Sequence, residues 1–469
     1  MKIILINPPF EEQYSVGSSR SIKYVLNIIP PLGLAYLAAV LEKNKFTVKI
    51  IDFTIERFSN GRLKEIINDG PDIVGITAST PTFSSARFIA ERIKEVLPQT
   101  LTVIGGAHVT AMPYQAMESG CFDIGVIGEA EETFLELVRH IQNKEASNLY
   151  AINGLIIKED GRYTITPRWE FIKNLDGIPY PARHLLPPLS RYSPTPASYR
   201  RLPLEVIITS RGCPYQCTFC DRAVFGNAYR TRSADNVLGE VEEAVNKYGT
   251  KEIRFFDDCF TLDKERTREI CRGMRRFKVH WTCLTTVTSI TKDLLREMKS
   301  AGCWQVLFGL ESGDERMLSL LKKGTTLEQN INAVKWAKEA GLSVRADFII
   351  GTPGETEESL KKTLDFALNM KMDYAHFNKF VPYPGTELYR DLTCQGYNFS
   401  FKEGSSITAH TDFLYTPPTI DKAYYMHFVN YAHRKFYLRS GYILRRLFSI
   451  RTWDELRGQI KGLISIAGL

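Results

Sequence analysis

Cys213, Cys217 and Cys220 stand in the run R-G-C-P-Y-Q-C-T-F-C-D-R from Arg211 to Arg222, separated by three residues and then by two. Thiolates are soft ligands that select iron–sulfur clusters or zinc. Three of them on one short loop can hold three corners of a 4Fe-4S cube and leave the fourth iron open to an exogenous ligand. Structural zinc is the alternative chemistry, but it takes four protein ligands, usually as two separated pairs. Here it would need a distant fourth ligand such as Cys259. The cysteines at 121, 259, 271, 283, 303 and 394 form no second close-spaced group, so no auxiliary cluster is expected. They read as small buried apolar residues, with Cys259 and Cys283 near strand ends that could face a pocket.

The elements that must hold this loop are legible on either side of it. Strand patterns run over Glu205–Ser210, Glu252–Phe256, Thr282–Thr286, Cys303–Phe308, Ser343–Ile350 and Tyr374–Phe380. Helical patterns fall between them near Ala234–Lys247, Lys264–Arg276, Lys292–Ala301, Leu327–Ala340 and Glu357–Met370. The trio directly follows the first of these strands.

Upstream, strands Ile3–Ile6, Thr47–Ile51, Ile73–Thr77, Leu101–Ile104 and Asp123–Ile127 alternate with helices near Leu32–Lys43, Arg62–Asn68, Thr82–Leu97, Tyr114–Ser119 and Glu131–Gln142. This alternation predicts an α/β, doubly wound, five-stranded parallel sheet. Such sheets bind ligands outside the carboxyl ends of their strands. Those ends carry Asn7-Pro8-Pro9, Ser79-Thr80 with Thr82, Gly105-Gly106-Ala107-His108 and Gly128-Glu129. Glycine lets backbone approach a flat or phosphorylated ligand, and the hydroxyls suit its polar edges. No G-x-G-x-x-G follows the first strand, which weakens a dinucleotide reading.

Between the two alternations the chain turns rich in proline and glycine, with a hairpin over Gly154–Thr166 around Asp160-Gly161. The expected organisation is a first domain over 1–147, a linker over 148–203, a second domain over 204–395 and a helical carboxy-terminal region over 396–469. At 469 residues the chain is too long for one ordinary core. An odd count of nine cysteines, three in a ligand trio, argues against a secreted disulfide framework and for a reducing cytoplasm. The amino-terminal apolar run is too short for a signal peptide, and Pro30, Pro31 and Gly33 break the stretch Tyr24–Leu41. Of the formal charge of +7, residues 430–469 supply eight basic against two acidic groups, a surplus of +6. That basic, aromatic tail marks either a helical cap or a peripheral contact with an anionic membrane. No nucleic-acid motif accompanies the charge.

The trio, with Phe219 before its last cysteine, resembles the signature of the radical S-adenosylmethionine (SAM) superfamily. The stretches L-I-N-P-P, P-P-L-G-L-A-Y-L-A, I-V-G-I-T-A-S, V-I-G-G-A-H and V-I-G-E-A-E-E resemble the Rossmann-like cobalamin-binding domain that precedes the barrel in one large subgroup. That subgroup includes porphyrin ring cyclases and hopanoid methylases, whose helical tails the carboxy terminus also resembles. The resemblance implies a partial (βα)6 TIM-type barrel, a 4Fe-4S cluster on Cys213, Cys217 and Cys220, SAM on the open iron, and cobalamin on the first domain. It assigns the SAM amino group to Asp257 and Asp258, the ribose and amino acid moiety to Glu311 and Ser312, the carboxylate to Arg345, and the adenine-flanking turn to Gly351. For cobalamin it points to the strand ends named above. No D-x-H-x-x-G segment is present, so the cobalt's lower face is expected to lack a histidine, with His108 bonding the corrin's amide rim.

The function implied is a cobalamin-dependent radical SAM enzyme that methylates an unactivated carbon of a small or lipid-like substrate. An external electron donor of flavodoxin or ferredoxin type would serve it. A radical cyclase with the same cofactors is one alternative. A cobalamin-binding sensor or carrier with an inactive barrel is another.

Overall fold

The computed structural model describes residues 1–10, 27–143, 149–159, 161–167, 170–399 and 414–467. The first domain comprises β1 (Lys2–Asn7), α1 (Leu32–Lys43), β2 (Thr47–Asp52), α2 (Asn60–Asp69), β3 (Ile73–Thr77), α3 (Phe83–Val96), β4 (Leu101–Gly105), α4 (Ala107–Ala111), α5 (Pro113–Glu118), β5 (Ile124–Val126) and α6 (Glu131–Gln142). Its sheet does not stop at five strands. The hairpin β6 (Leu155–Glu159) and β7 (Arg162–Ile165) joins it antiparallel beyond β5, giving the order β2-β1-β3-β4-β5-β6-β7. The physical reason is the exposed edge of the short β5, which pairs with Leu155, Ile156 and Ile157 of the hairpin, all buried. Asp160, at the hairpin's turn, lies outside the described residues.

Alternation along β1 divides the core. Ile3 and Leu5 face α1 and α6, while Ile4 and Ile6 face α2 and α3. With both faces covered, the strands read as near-continuous apolar runs.

The second domain follows with β8 (Leu204–Ile207), the short ladder β9 (Ser210–Arg211) and β10 (Arg230–Thr231), α7 (Ala234–Tyr248), β11 (Glu252–Phe255), α8 (Lys264–Met274), β12 (His280–Thr285), α9 (Lys292–Ser300), β13 (Cys303–Glu311), α10 (Glu315–Leu320), α11 (Leu327–Glu339), β14 (Ser343–Ile350), α12 (Glu357–Asn369), β15 (Tyr374–Lys379) and α13 (Glu387–Cys394). Six strands, β8, β11, β12, β13, β14 and β15, pair in parallel and in chain order, the open barrel expected. Ile253, Phe255, Val306, Phe308, Val344, Ala346, Phe348, Ala375 and Phe377 face the helices in one large core. The intervening residues therefore face the lumen.

The carboxy-terminal helices α14 (Lys422–Tyr437), α15 (Ser440–Ser449) and α16 (Trp453–Ala467) pack onto the last strand. Tyr425, Phe428, Phe436 and Tyr442 enter the barrel core. The Tyr437 hydroxyl accepts from the Ala375 amide (3.1 Å) and donates to its carbonyl (2.9 Å). These bonds satisfy backbone groups that a closing seventh strand would otherwise take. No helix among the described residues is long and apolar enough to cross a membrane.

Candidate active site

The cysteine loop is an excursion closed at its base by the β9–β10 ladder, where Arg211 pairs with Arg230. Gly212 sits at φ +84°, and a Cβ there would lie 2.3 Å from the Ala228 carbonyl oxygen, so only glycine makes this turn. Asp257, at the end of β11, accepts from the amides of Thr209 (2.6 Å) and Ser210 (3.0 Å) and from the Thr209 hydroxyl. Its carboxylate is thus spent on the backbone that leads into the trio. Asp258 is the exposed neighbour whose charge reaches Cys213 and Cys220.

Burial pushes the Cys213 thiol up to about 11 and the Cys220 thiol up to about 12, and the neighbouring carboxylate and thiols add to both shifts. Cys217 is also raised by burial, with the Lys323 ammonium opposing. Metal binding deprotonates such thiols outright. Among the described residues no three His, Cys, Asp or Glu side chains gather as ligands of one ion. A cluster asks for a wider spacing, three thiolates on three irons, and the donor set fits that group. Cys259 is buried against the Thr285 and Ser289 hydroxyls. Cys283 faces the helices, not the pocket.

At the mouth of the barrel, β13 bulges between Gly309 and Glu311, and Glu311 adopts φ +61°. A non-glycine residue in that region stores backbone strain, of order 1–3 kcal/mol, and a bulge re-aims a side chain. Here the result is a buried ion pair, Glu311 with Lys323 at 2.8 Å. A Cβ on residue 309 would lie 2.3 Å from Glu311 Oε1 and 3.0 Å from Lys323 Nζ, so the glycine makes room for the pair. The Lys323 ammonium also lies over the Phe219 ring at 5.8 Å. Sequence reasoning missed Lys323, although the basic turn Lys322-Lys323-Gly324 was visible.

The other expected SAM residues fare differently. Ser312 is fully buried, paired with the Thr363 hydroxyl (3.1 Å) and accepting from the Asp314 amide (3.2 Å). Gly351 donates its amide to Glu355 (2.6 Å) in the turn after β14. Arg345, expected at the SAM carboxylate, sits deeper in its strand. It is the third residue of β14, facing Leu307 in register and far below the strand end, and its guanidinium contacts His376 and Asp347.

The first domain carries a cleft enclosing about 810 Å³ of empty space, its mouth included. Its floor is Gly75 within β3 and Thr77, Gly105, Gly106 and Gly128 at the strand ends, between the amino termini of α1 and α6. Gly106, at φ +103°, leaves no space for a Cβ, which would lie 2.7 Å from the Ala78 carbonyl oxygen. Ile208, Arg211, Val224 and Phe225 of the second domain form the facing wall. A flat apolar macrocycle fits a cleft of this make.

Of the cobalamin candidates, Gly105, Gly106, Gly128 and Glu129 line it. Asn7, Pro8, Pro9, Ser79, Thr80, Thr82 and His108 do not. Asn7 instead bonds Asp52 (2.9 Å), and Ser79 and Thr82 cap one another. His108 is buried, tilted against the Phe83 ring at 4.2 Å and bonded to the Thr80 hydroxyl at 3.2 Å, and burial pushes it down to about 4. Among the described residues the cleft's lining includes neither His108 nor any other histidine.

Glu129 links the two sites. Its carboxylate meets Arg211 (3.1 Å) and Arg230 (2.9 Å), the two ends of the cysteine loop, while Glu131 takes the other arm of Arg211. Both carboxylates and both guanidiniums are buried, and such paired buried charges are strongly destabilised when one partner is removed. From the linker, Arg183 similarly pins β8 and α7 through Glu205 (3.0 Å) and Glu240 (2.5 Å).

Residues 207–367 match the family model for the radical SAM superfamily, and residues 22–138 match that for the B12 binding domain. An uncharacterized methyltransferase of Pyrococcus horikoshii is 39% identical over 83% of this chain and 82% of its own. The anaerobic magnesium-protoporphyrin IX monomethyl ester cyclase of Rubrivivax gelatinosus is 29% identical over 94% of this chain and 78% of its own. Among solved structures, the radical SAM methyltransferase TsrM of Kitasatospora setae, with cobalamin and a 4Fe-4S cluster bound, superposes with a TM-score of 0.75 at 18% identity. It covers 100% of this chain and 99% of that one.

Proposed function

The chain belongs to the cobalamin-dependent radical SAM enzymes, and from that premise we propose that it is a carbon methyltransferase. The methyltransferase that is 39% identical over 83% of this chain carries the reading, and residues flanking the cysteine trio, from Ile208 and Arg211 to Val224 and Phe225, form a wall of the first domain's cleft. When bound, the cluster, SAM and cobalamin supply one-electron cleavage of a sulfonium and a transferable methyl group. The chain's own work is placement. Cys213, Cys217 and Cys220 hold three irons, with Asp257 fixing the loop that presents them. Lys323, in place of Arg345, offers the cation for the SAM carboxylate, and Glu311 accepts from its amino or ribose groups. The glycine floor with Leu34, Val126 and Phe134 takes the corrin face. Holding reactants in line and excluding water is the main catalytic demand of such chemistry.

A cyclase shares every one of these parts, and the porphyrin cyclase covers more of this chain than the methyltransferase does. The two outcomes separate on incubation of the anaerobically reconstituted enzyme with reductant, methyl-labelled SAM and candidate small-molecule acceptors. Methylation puts label into the product with S-adenosylhomocysteine and 5′-deoxyadenosine in equal amounts. 5′-Deoxyadenosine with an unlabelled product would overturn methylation in favour of cyclisation.

We place the enzyme in the cytoplasm, served by a flavodoxin- or ferredoxin-type donor, and at the surface of an anionic membrane. The tail supports that last assignment. Leu444, Leu447, Phe448, Trp453, Ile460 and Leu463 are all exposed, Phe448 and Trp453 at 78% and 77%, beside exposed Arg445, Arg451 and Arg457. Apolar side chains flanked by cations suit the headgroup boundary of an acidic bilayer.

A further inference from the structure

The barrel lumen holds a cluster of charges that the chemistry above does not use. Arg254 of β11 and Arg345 of β14 both face inward, since their neighbours Ile253, Phe255, Val344 and Ala346 face the helices. Asp347 and His376 project from the same wall, and about a quarter of each side chain is exposed, at 25% and 26%. These positions face the inside of the barrel, where solvent reaches part of each side chain and the surrounding strands shield the rest.

The charges do not balance. Arg345 donates to His376 Nδ1 (3.0 Å) and contacts Asp347 (3.4 Å), which also lies 3.5 Å from His376. Burial pushes His376 down to about 3, so the ring is neutral and Asp347 is the one anion in the group. Among the described residues Arg254 makes no ion pair. Its guanidinium lies over the Phe256 ring at 5.0 Å, and its Nη1 is buried with no hydrogen-bond acceptor. Burial and the Arg345 charge push Arg254 down to about 10, the mark of two cations in one another's field. A buried guanidinium without an acceptor is costly, and guanidiniums facing one lumen suit carboxylate or phosphate oxygens, which each can pair with through its planar fork.

We propose that Arg254 and Arg345 form an anion seat in the lumen that takes a carboxylate or phosphate group of the substrate. The inference rests on the reading of the barrel as the reaction chamber. Seated there, the anion would anchor a substrate from below while its reacting carbon points up toward the cysteine loop and the cleft.

The test uses the anaerobic, cluster-loaded full chain with inorganic phosphate and acetate as probes, read by thermal shift and isothermal calorimetry. Saturable stabilisation by one of the two is expected and names the group. Arg254→Met should lower the apparent affinity at least tenfold, and with no probe it should melt at or above the wild-type temperature, because a like-charge contact is relieved. Arg345→Gln should weaken the same probe. No stabilisation of the wild type by either probe, an undiminished response in Arg254→Met, or a lowered melting temperature of that variant without probe would overturn the seat. Release of 5′-deoxyadenosine from SAM by the wild-type preparation on reduction is measured in parallel. Its absence would strike at the radical reading itself, whereas its presence without probe binding would remove only this inference.

Discussion

Burial of His108 in α4 has a thermodynamic consequence that its place after a strand end does not suggest. The ring is held neutral, pushed from the ordinary 6.5 down to about 4, chiefly by loss of solvent. Between those values the unfolded chain takes up a proton that the folded chain refuses. The neutral ring's contribution is therefore intact above pH 6.5 and lost progressively as pH falls toward 4, a loss of about 3 kcal/mol. Anaerobic denaturant titrations of wild type and His108→Leu should diverge across that window, with the wild type falling faster as pH drops. Parallel curves would show that the ring is solvated. The cluster cysteines were legible from spacing alone because their chemistry is local. Residues that depend on height within a strand were not. Arg345 has a residue type suited to a carboxylate and a strand suited to the barrel, but period-two patterning fixes which face it shares and not how near the open end it lies. Lys323, on a turn after α10, carries no periodic signal at all.

At the scale of elements, the alternation of apolar runs gave the positions of almost every strand and helix, since both sheets are buried on at least one face and leave strong patterns. Departures from regularity were hidden. The bulge in β13 depends on the pairing of Gly309 and Glu311 against β14, a non-local register that no single run displays. The hairpin's place in the first sheet likewise depends on a free edge at β5. The bulge predicts a specific sensitivity. Gly309→Ala sets a methyl against both members of the Glu311–Lys323 pair, costing about 1–3 kcal/mol of stability by overpacking. Calorimetry on the cluster-loaded variant should show SAM binding weakened at least tenfold with the fold retained by circular dichroism. Unaltered SAM affinity would detach the pair from the ligand.

Over the whole molecule, the tail has two faces that the sequence did not separate. Arg439 and Arg446 turn inward, to the carbonyls of Leu368 and Phe436 and to Tyr374. Basic count alone therefore overstated the charge available outside. What remains exposed is more apolar than a solvated cap requires, and it predicts co-sedimentation with vesicles of acidic phospholipid but not of neutral phosphatidylcholine. The double variant Phe448→Ser with Trp453→Ser should reduce the bound fraction at least fivefold without lowering the melting temperature, and equal binding would dismiss the surface. Elsewhere, Glu129 grips both ends of the cysteine loop from the other domain. That grip acts as a gauge block: the spacing between the first domain's cleft and the cysteine loop is machined into the chain itself. A hybrid assembled by transplanting a foreign first domain would inherit a sound scaffold and a wrong clearance unless acids equivalent to 129 and 131 travelled with it.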